Sequence, residues 1–231
     1  MFEKKEIDIY YLAAWFQNLI MLFVFCFILY ITVRHKLKGS LWLIFAYSFC
    51  SIFISITSIT NILFNWPLHK IWIQLNYASF IPHYIFLSLF IFLVEYPLML
   101  TKNTALLYWL CLIIFSILFY LGLSDDKFFI IYLCNIILVS FCIIYFVRLF
   151  SSAKPIIVVK NYSFWIVTGI FCCLLFTIPM IFIYYLLYKQ NVLDVSAYKS
   201  ISAIASLAYG GMHLFFLKGF LCYKIENSNP V

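Results

Sequence analysis

The 231-residue chain is 67% hydrophobic and only 10% charged, with Lys and Arg outnumbering Asp and Glu 15 to 8. A soluble domain carries about 25% charged residues, so the composition excludes an ordinary globular protein and makes lipid the expected solvent and first partner. The net charge of +7 is not gathered into a basic arm, which argues against a nucleic-acid partner.

A helix that crosses a bilayer needs roughly 20 apolar residues. In chain order such runs fall at 9–33, 41–64, 76–100, 105–123, 128–150, 163–187 and 201–223. They predict an all-α fold: one seven-helix transmembrane domain over 1–231, with short connections and no soluble domain. The opening "MFEKKEIDIY" mixes acids with lysines, and no small-residue cleavage site closes the long apolar run after it, so the first helix is expected to be retained. From Ile71 to Leu100 the apolar run is too long for one upright span, reaching about 45 Å against a core of about 30 Å. Pro82 is expected to divide it and to leave "NWPLHKIWIQL" as an interfacial connection.

Seven spans put the termini on opposite sides. One side carries Lys4, Lys5, Lys70, Lys127, Lys189 and Lys199, balanced by Glu3, Glu6, Asp8, Asp125, Asp126 and Asp194. The other carries Arg34, Lys36, Lys38, Lys102, Arg148, Lys154, Lys160, Lys218 and Lys224 against Glu226 and the intramembrane Glu95. Positive charge marks the cytoplasmic face, so the N-terminus is expected outside and the C-terminus inside. Trp15, Trp66 and Trp72 near the outer ends, with Trp42, Trp109 and Trp165 near the inner ends, form the matching aromatic belts.

Small residues recur where helices are expected to pack closely. In the last span Ser202, Ser206 and Gly210 repeat every four residues; in the second, Ser48, Ser51, Ser55 and Ser58 share one face. Two readings stand side by side: a water-lined groove between spans two and seven, or a close helix contact with serines bonded back to their own carbonyls. Seven of the eight cysteines fall inside spans and Cys222 at the inner end of the last, which leaves no exported disulfide framework and no metal-site spacing. The sequon "NYS" at Asn161 falls on the cytoplasmic side and is set aside. Pro179 leaves the Leu175 carbonyl without its usual donor, so a kink is expected in span six.

Polar side chains at membrane depth are functional candidates by default. They are Gln17 and Asn18 in the outer third of span one, His83 and Glu95 in span three, Asn135 in span five, and His213 and Lys218 in span seven. Glu95 and Lys218 lie about 8 Å from their inner helix ends by helical rise, a shared level that permits an ion pair, although Lys218 alone can snorkel to the interface. His213 lies at mid-membrane on the small face. Gln17, Asn18, His83, Glu95 and His213 are thus candidates for a ligand site or an ion path.

Catalytic patterns are missing from the sequence. It contains no H-E-x-x-H, no G-x-S-x-G, no glycine-rich phosphate loop and no aspartate within a span. No catalytic residue, metal or cofactor is therefore expected. Pro82 and Pro179 interrupt spans as carrier helices are interrupted, but they do not match under a three-plus-one-plus-three repeat.

The stretch "NYSFWIVTGIFCCLLFTIPMIFIYYLL", followed by "ISAIASLAYGGMHLFFLKGFLCYK", resembles bacterial seven-helix membrane regions of unassigned function. Some of these stand alone, and others are similar to sensory membrane regions fused to histidine kinases. Asn161, Phe164, Trp165, Gly169 and the small-residue final helix carry the resemblance, with less of span three ("PHYIFLSLFIFLVEY") and almost nothing of spans one, four and five. It implies a sensory or accessory protein of a bacterial inner membrane, acting through a separate cytoplasmic partner. The competing expectation is a small-solute or proton-coupled carrier that uses His83, Glu95 and His213.

Overall fold

A computed structural model describes residues 9–34, 39–64, 84–94, 113, 127–151, 158–190, 192 and 194–228. All the regular structure among them is helical. In chain order the helices are α1 (Ile9–Arg34), α2 (Gly39–Phe64), α3 (Tyr84–Val94), α4 (Lys127–Ser151), α5 (Tyr162–Lys189) and α6 (Val195–Ser228), with a single 3-10 turn at Val158–Lys160 before α5.

Four segments are long and apolar enough to cross a membrane: Leu12–Arg34, Ile131–Ser151, Tyr162–Lys189 and Ser196–Ile225. The bundle wears its grease outward, with Leu19, Phe23, Phe53 and Phe176 each about 60% exposed or nearly so. A water-soluble monomer does not carry such a surface; a bilayer satisfies it.

Helices α1, α2, α4 and α5 fall within two residues of the expected first, second, fifth and sixth spans. The last helix differs. It begins at Val195 and runs to Ser228, well beyond the apolar stretch 201–223. Its polar first turn is held by Asp194, whose carboxylate accepts from the Ala197 amide at 2.6 Å, a capping bond that apolar periodicity cannot reveal. Of the expected third and fourth spans, the described residues are α3 and Ile113; Pro82, His83 and Glu95 lie outside them. Helix α5 continues through Pro179.

The start of α5 shows how local sequence fixes a helix end. Asn161 is the N-cap, its side-chain oxygen accepting from the Ser163 amide at 2.9 Å and from the Ser163 hydroxyl at 2.6 Å. The Ser163 hydroxyl also lies 2.9 Å from that of Tyr145, which ties the cap to α4.

Helix α6 is the hub: it packs along both α5 and α1, while α5 also meets α4 and α1 meets α2. Two glycines set the α5–α6 distance. A Cβ on Gly169 would stand 2.6 Å from Cβ of Phe215, and one on Gly219 would stand 2.7 Å from Cγ1 of Ile166. One continuous core unites the helices, with Val24 and Ile28 of α1, Ile44 of α2, Phe90 of α3, Leu138 of α4 and Phe216 of α6 among its members.

The small-residue stripe of the last helix meets a different neighbour from the one expected. A Cβ on Gly210 would sit 3.7 Å from Cα of Gln17 and 3.6 Å from Cδ1 of Ile20, so its close partner is α1 and not α2. Helix α2 reaches α6 through aromatic rings instead, with Tyr47 against both His213 and Phe216. Large rings hold two helix axes apart, whereas a glycine lets them close.

Candidate functional site

Five helices deliver polar side chains to the interior of the bundle. Helix α3 is tied to α4 by the Tyr84 hydroxyl, which donates to Oδ1 of Asn135 at 2.9 Å. Asn135 is 1% exposed, so this bond is made away from solvent, where an unmet amide is costly. From α2, the Tyr47 hydroxyl bonds to Ser51. The Tyr47, Tyr84 and Tyr209 hydroxyls are within electrostatic reach of one another and of the Cys173 thiol, with Cys134 also near Tyr84. Three phenols, a thiol and an amide from α2, α3, α4, α5 and α6 thus make up a polar centre, in which Tyr47, Cys173 and Asn135 are buried and Tyr84 and Tyr209 half-buried.

His213 adds the imidazole. Its ring is 1% exposed and stacks on Tyr47 with centroids 6.0 Å apart, while Phe216 lies 5.6 Å away. Nδ1 is 2.7 Å from the Tyr209 carbonyl oxygen, one helical turn back. A carbonyl accepts, so Nδ1 carries the proton, and Nε2 of the neutral ring is left with a lone pair. That buried nitrogen has no hydrogen-bond partner among the described residues, and neither has the buried hydroxyl of Ser48 beside Tyr47. Buried polar atoms are nearly always paired, which singles these two out among the described residues.

The remaining candidates separate. Gln17 is half-buried at the α1–α6 seam, beside Gly210 and so one turn of α6 from His213; its Nε2 donates to Sδ of Met21 at 3.6 Å. Asn18 is half-buried on the same helix. Ser202 and Ser206 are half-buried on α6, and Ser51 belongs to the polar centre. Ser55 and Ser58 fall where the side chains of α2 are outside the description, and of the Glu95–Lys218 pair Glu95 lies outside the described residues. Lys218 itself is exposed and reaches along the α5–α6 surface, its Nζ 5.7 Å from the centre of the Trp165 ring. No three His, Cys, Asp or Glu side chains converge among the described residues.

Tyr47, Tyr84, Tyr209 and Cys173 were not distinguishable by residue type in a chain with 18 tyrosines and 8 cysteines. The available signal was depth: tyrosine favours membrane interfaces, and Tyr47 and Tyr209 stand well inside their spans. Comparison with protein-family models, with characterised proteins and with solved structures finds no match for this chain.

Proposed function

We propose that this chain is a seven-helix protein of a bacterial inner membrane, N-terminus outside and C-terminus inside, that serves a sensory or accessory role without catalysis. Its polar centre is the sensing element, and a separate cytoplasmic protein receives the output. The observation that carries the reading is the open Nε2 of His213, held in place by the Nδ1 bond to Tyr209 and the stack on Tyr47. A fixed acceptor in a buried position suits a small molecule that donates a hydroxyl or N–H group, because the missing bond is worth most where water is excluded. Helix α6 carries both His213 and the C-terminal end of the bundle, so a shift at the centre has a rigid route to the cytoplasmic side.

The carrier reading has one observation in its favour: His213, at mid-depth, and Gln17 lie within a turn of each other along the α1–α6 seam. Flux separates the two. In proteoliposomes with an internal pH dye, the sensory protein is expected to leak no faster than empty vesicles. Proton or solute flux that disappears in His213→Phe would overturn that role in favour of the carrier. Orientation is checked by cysteine labelling: Lys127→Cys is expected to react with an impermeant maleimide on intact cells, and Lys36→Cys only after lysis. The reverse pattern would sink the proposed topology.

A further inference from the structure

His213 stands in the middle of the last membrane-crossing segment. Within Ser196–Ile225 it lies about 18 Å from the nearer end by helical rise, and a hydrocarbon core is about 30 Å thick. Its neighbours on α6 divide between two sides: Met212 and Phe216 are buried, whereas Leu214 is 47% exposed. At this depth the phase outside the bundle is hydrocarbon, and the buried ring lies one residue from a side chain that faces it.

The polar and ring contacts described for His213 carry no formal charge. They are the Tyr209 carbonyl at Nδ1 and the rings of Tyr47 and Phe216. Those two rings also meet each other edge-on, with centroids 5.9 Å apart, so the imidazole is one member of three rings in mutual contact. Nε2 keeps its lone pair without a hydrogen-bond partner among the described residues, on a side chain 1% exposed. An ion brought to this nitrogen would lose its hydration and meet no counter-charge among these contacts. A neutral molecule escapes that cost.

We infer that Nε2 of His213 accepts from a neutral alcohol that dissolves in the membrane and reaches the bundle from the lipid side. The inference rests on the reading of the polar centre as a ligand site, and it names the class of ligand. One hydroxyl meets the acceptor, the lack of charge matches the uncharged contacts, and an apolar body matches the depth. Ammonium and carboxylate compounds fail on the last two counts.

The full-length protein is isotope-labelled at histidine nitrogen and purified in detergent. The His213 Nε2 resonance is then followed by NMR while cyclohexanol, cyclohexyl methyl ether or cyclohexylammonium is added. Loss of the signal in His213→Phe assigns it. Should that variant fail to fold, His35→Gln with His69→Gln and His83→Gln leaves His213 as the one histidine. Cyclohexanol is expected to move the resonance, saturably, to a hydrogen-bonded position. The ether has the same ring and no O–H, and is expected to bind at least about tenfold more weakly, as one unmade buried hydrogen bond predicts. The ammonium is expected to leave the resonance in place. A resonance indifferent to cyclohexanol, or an ether as potent as the alcohol, overturns the inference. An ammonium as potent as the alcohol overturns it too, while leaving the centre a ligand site. An Nε2 already hydrogen-bonded before any addition overturns both the inference and the sensing reading beneath it.

Discussion

Lys218 and His213 sit five residues apart on one helix and are handled in opposite ways. Lysine has a long stem and three donors, and Lys218 is exposed with its Nζ 5.7 Å from the centre of the Trp165 ring. Replacing it by Met is expected to cost under about 1 kcal/mol, the value of an exposed cation–ring contact. A larger loss in detergent melts, recovered by adding Glu95→Gln, would instead show that the two are paired. Histidine has no such reach and stays buried, one nitrogen bonded and the other open. A phenyl ring can keep the stack on Tyr47 and removes the open acceptor. His213→Phe is therefore predicted to hold or raise the melting temperature while abolishing response to any ligand of the centre. A lower melting temperature would mean that Nε2 has a partner in the folded protein. Residues kept at a cost to stability are characteristic of functional sites.

Among the elements, α5 and α6 depend on two glycines, and a third glycine tests that claim. Alanine at Gly169 or Gly219 would force a side chain to within 2.6 or 2.7 Å of its neighbour. Each is expected to cost about 1–3 kcal/mol by overpacking. Alanine at Gly210 meets ordinary contacts of 3.6 and 3.7 Å and is expected to be neutral, or stabilising by up to about 1 kcal/mol. Thermal melts of the three variants in one detergent decide the matter; equal losses would refute the geometry. Helix starts are the second element-scale feature. Asn161→Ala removes the cap of α5 and its link to Ser163, with an expected loss of about 1 kcal/mol. Asn161→Asp, which preserves the acceptor, should recover most of it.

For the whole molecule, the polar centre joins helices that are far apart in sequence. Tyr84 and Asn135 bridge α3 and α4 with a bond made inside the bundle. A double-mutant cycle with Tyr84→Phe and Asn135→Ala is expected to give a coupling of about 0.6–1.7 kcal/mol, the range for such bonds within membranes. Zero coupling would remove the bridge from the account. Membrane helices lack a hydrophobic drive toward one another. Close packing at glycines, Gly210 toward α1 and Gly219 toward α5, and ring contacts such as Tyr47–Phe216 contribute to that adhesion.

Composition and the length of apolar runs by themselves determined that this protein is helical and built for a bilayer. They also placed four helices to within two residues, because lipid demands long apolar segments whose backbone bonds are closed internally. His213 was legible too, being a rare polar group at membrane depth. The small face on the last helix was readable as a packing surface, yet its partner was not. Helical spacing says which residues share a face and is silent about which helix that face will meet. Nor does sequence spacing record that Tyr47, Tyr84, Tyr209 and Cys173 come together from four helices, or that Arg34 and Lys224, 190 positions apart, both come to the Tyr30 ring. Those groupings are made by contacts between distant segments, and only the tertiary structure decided them.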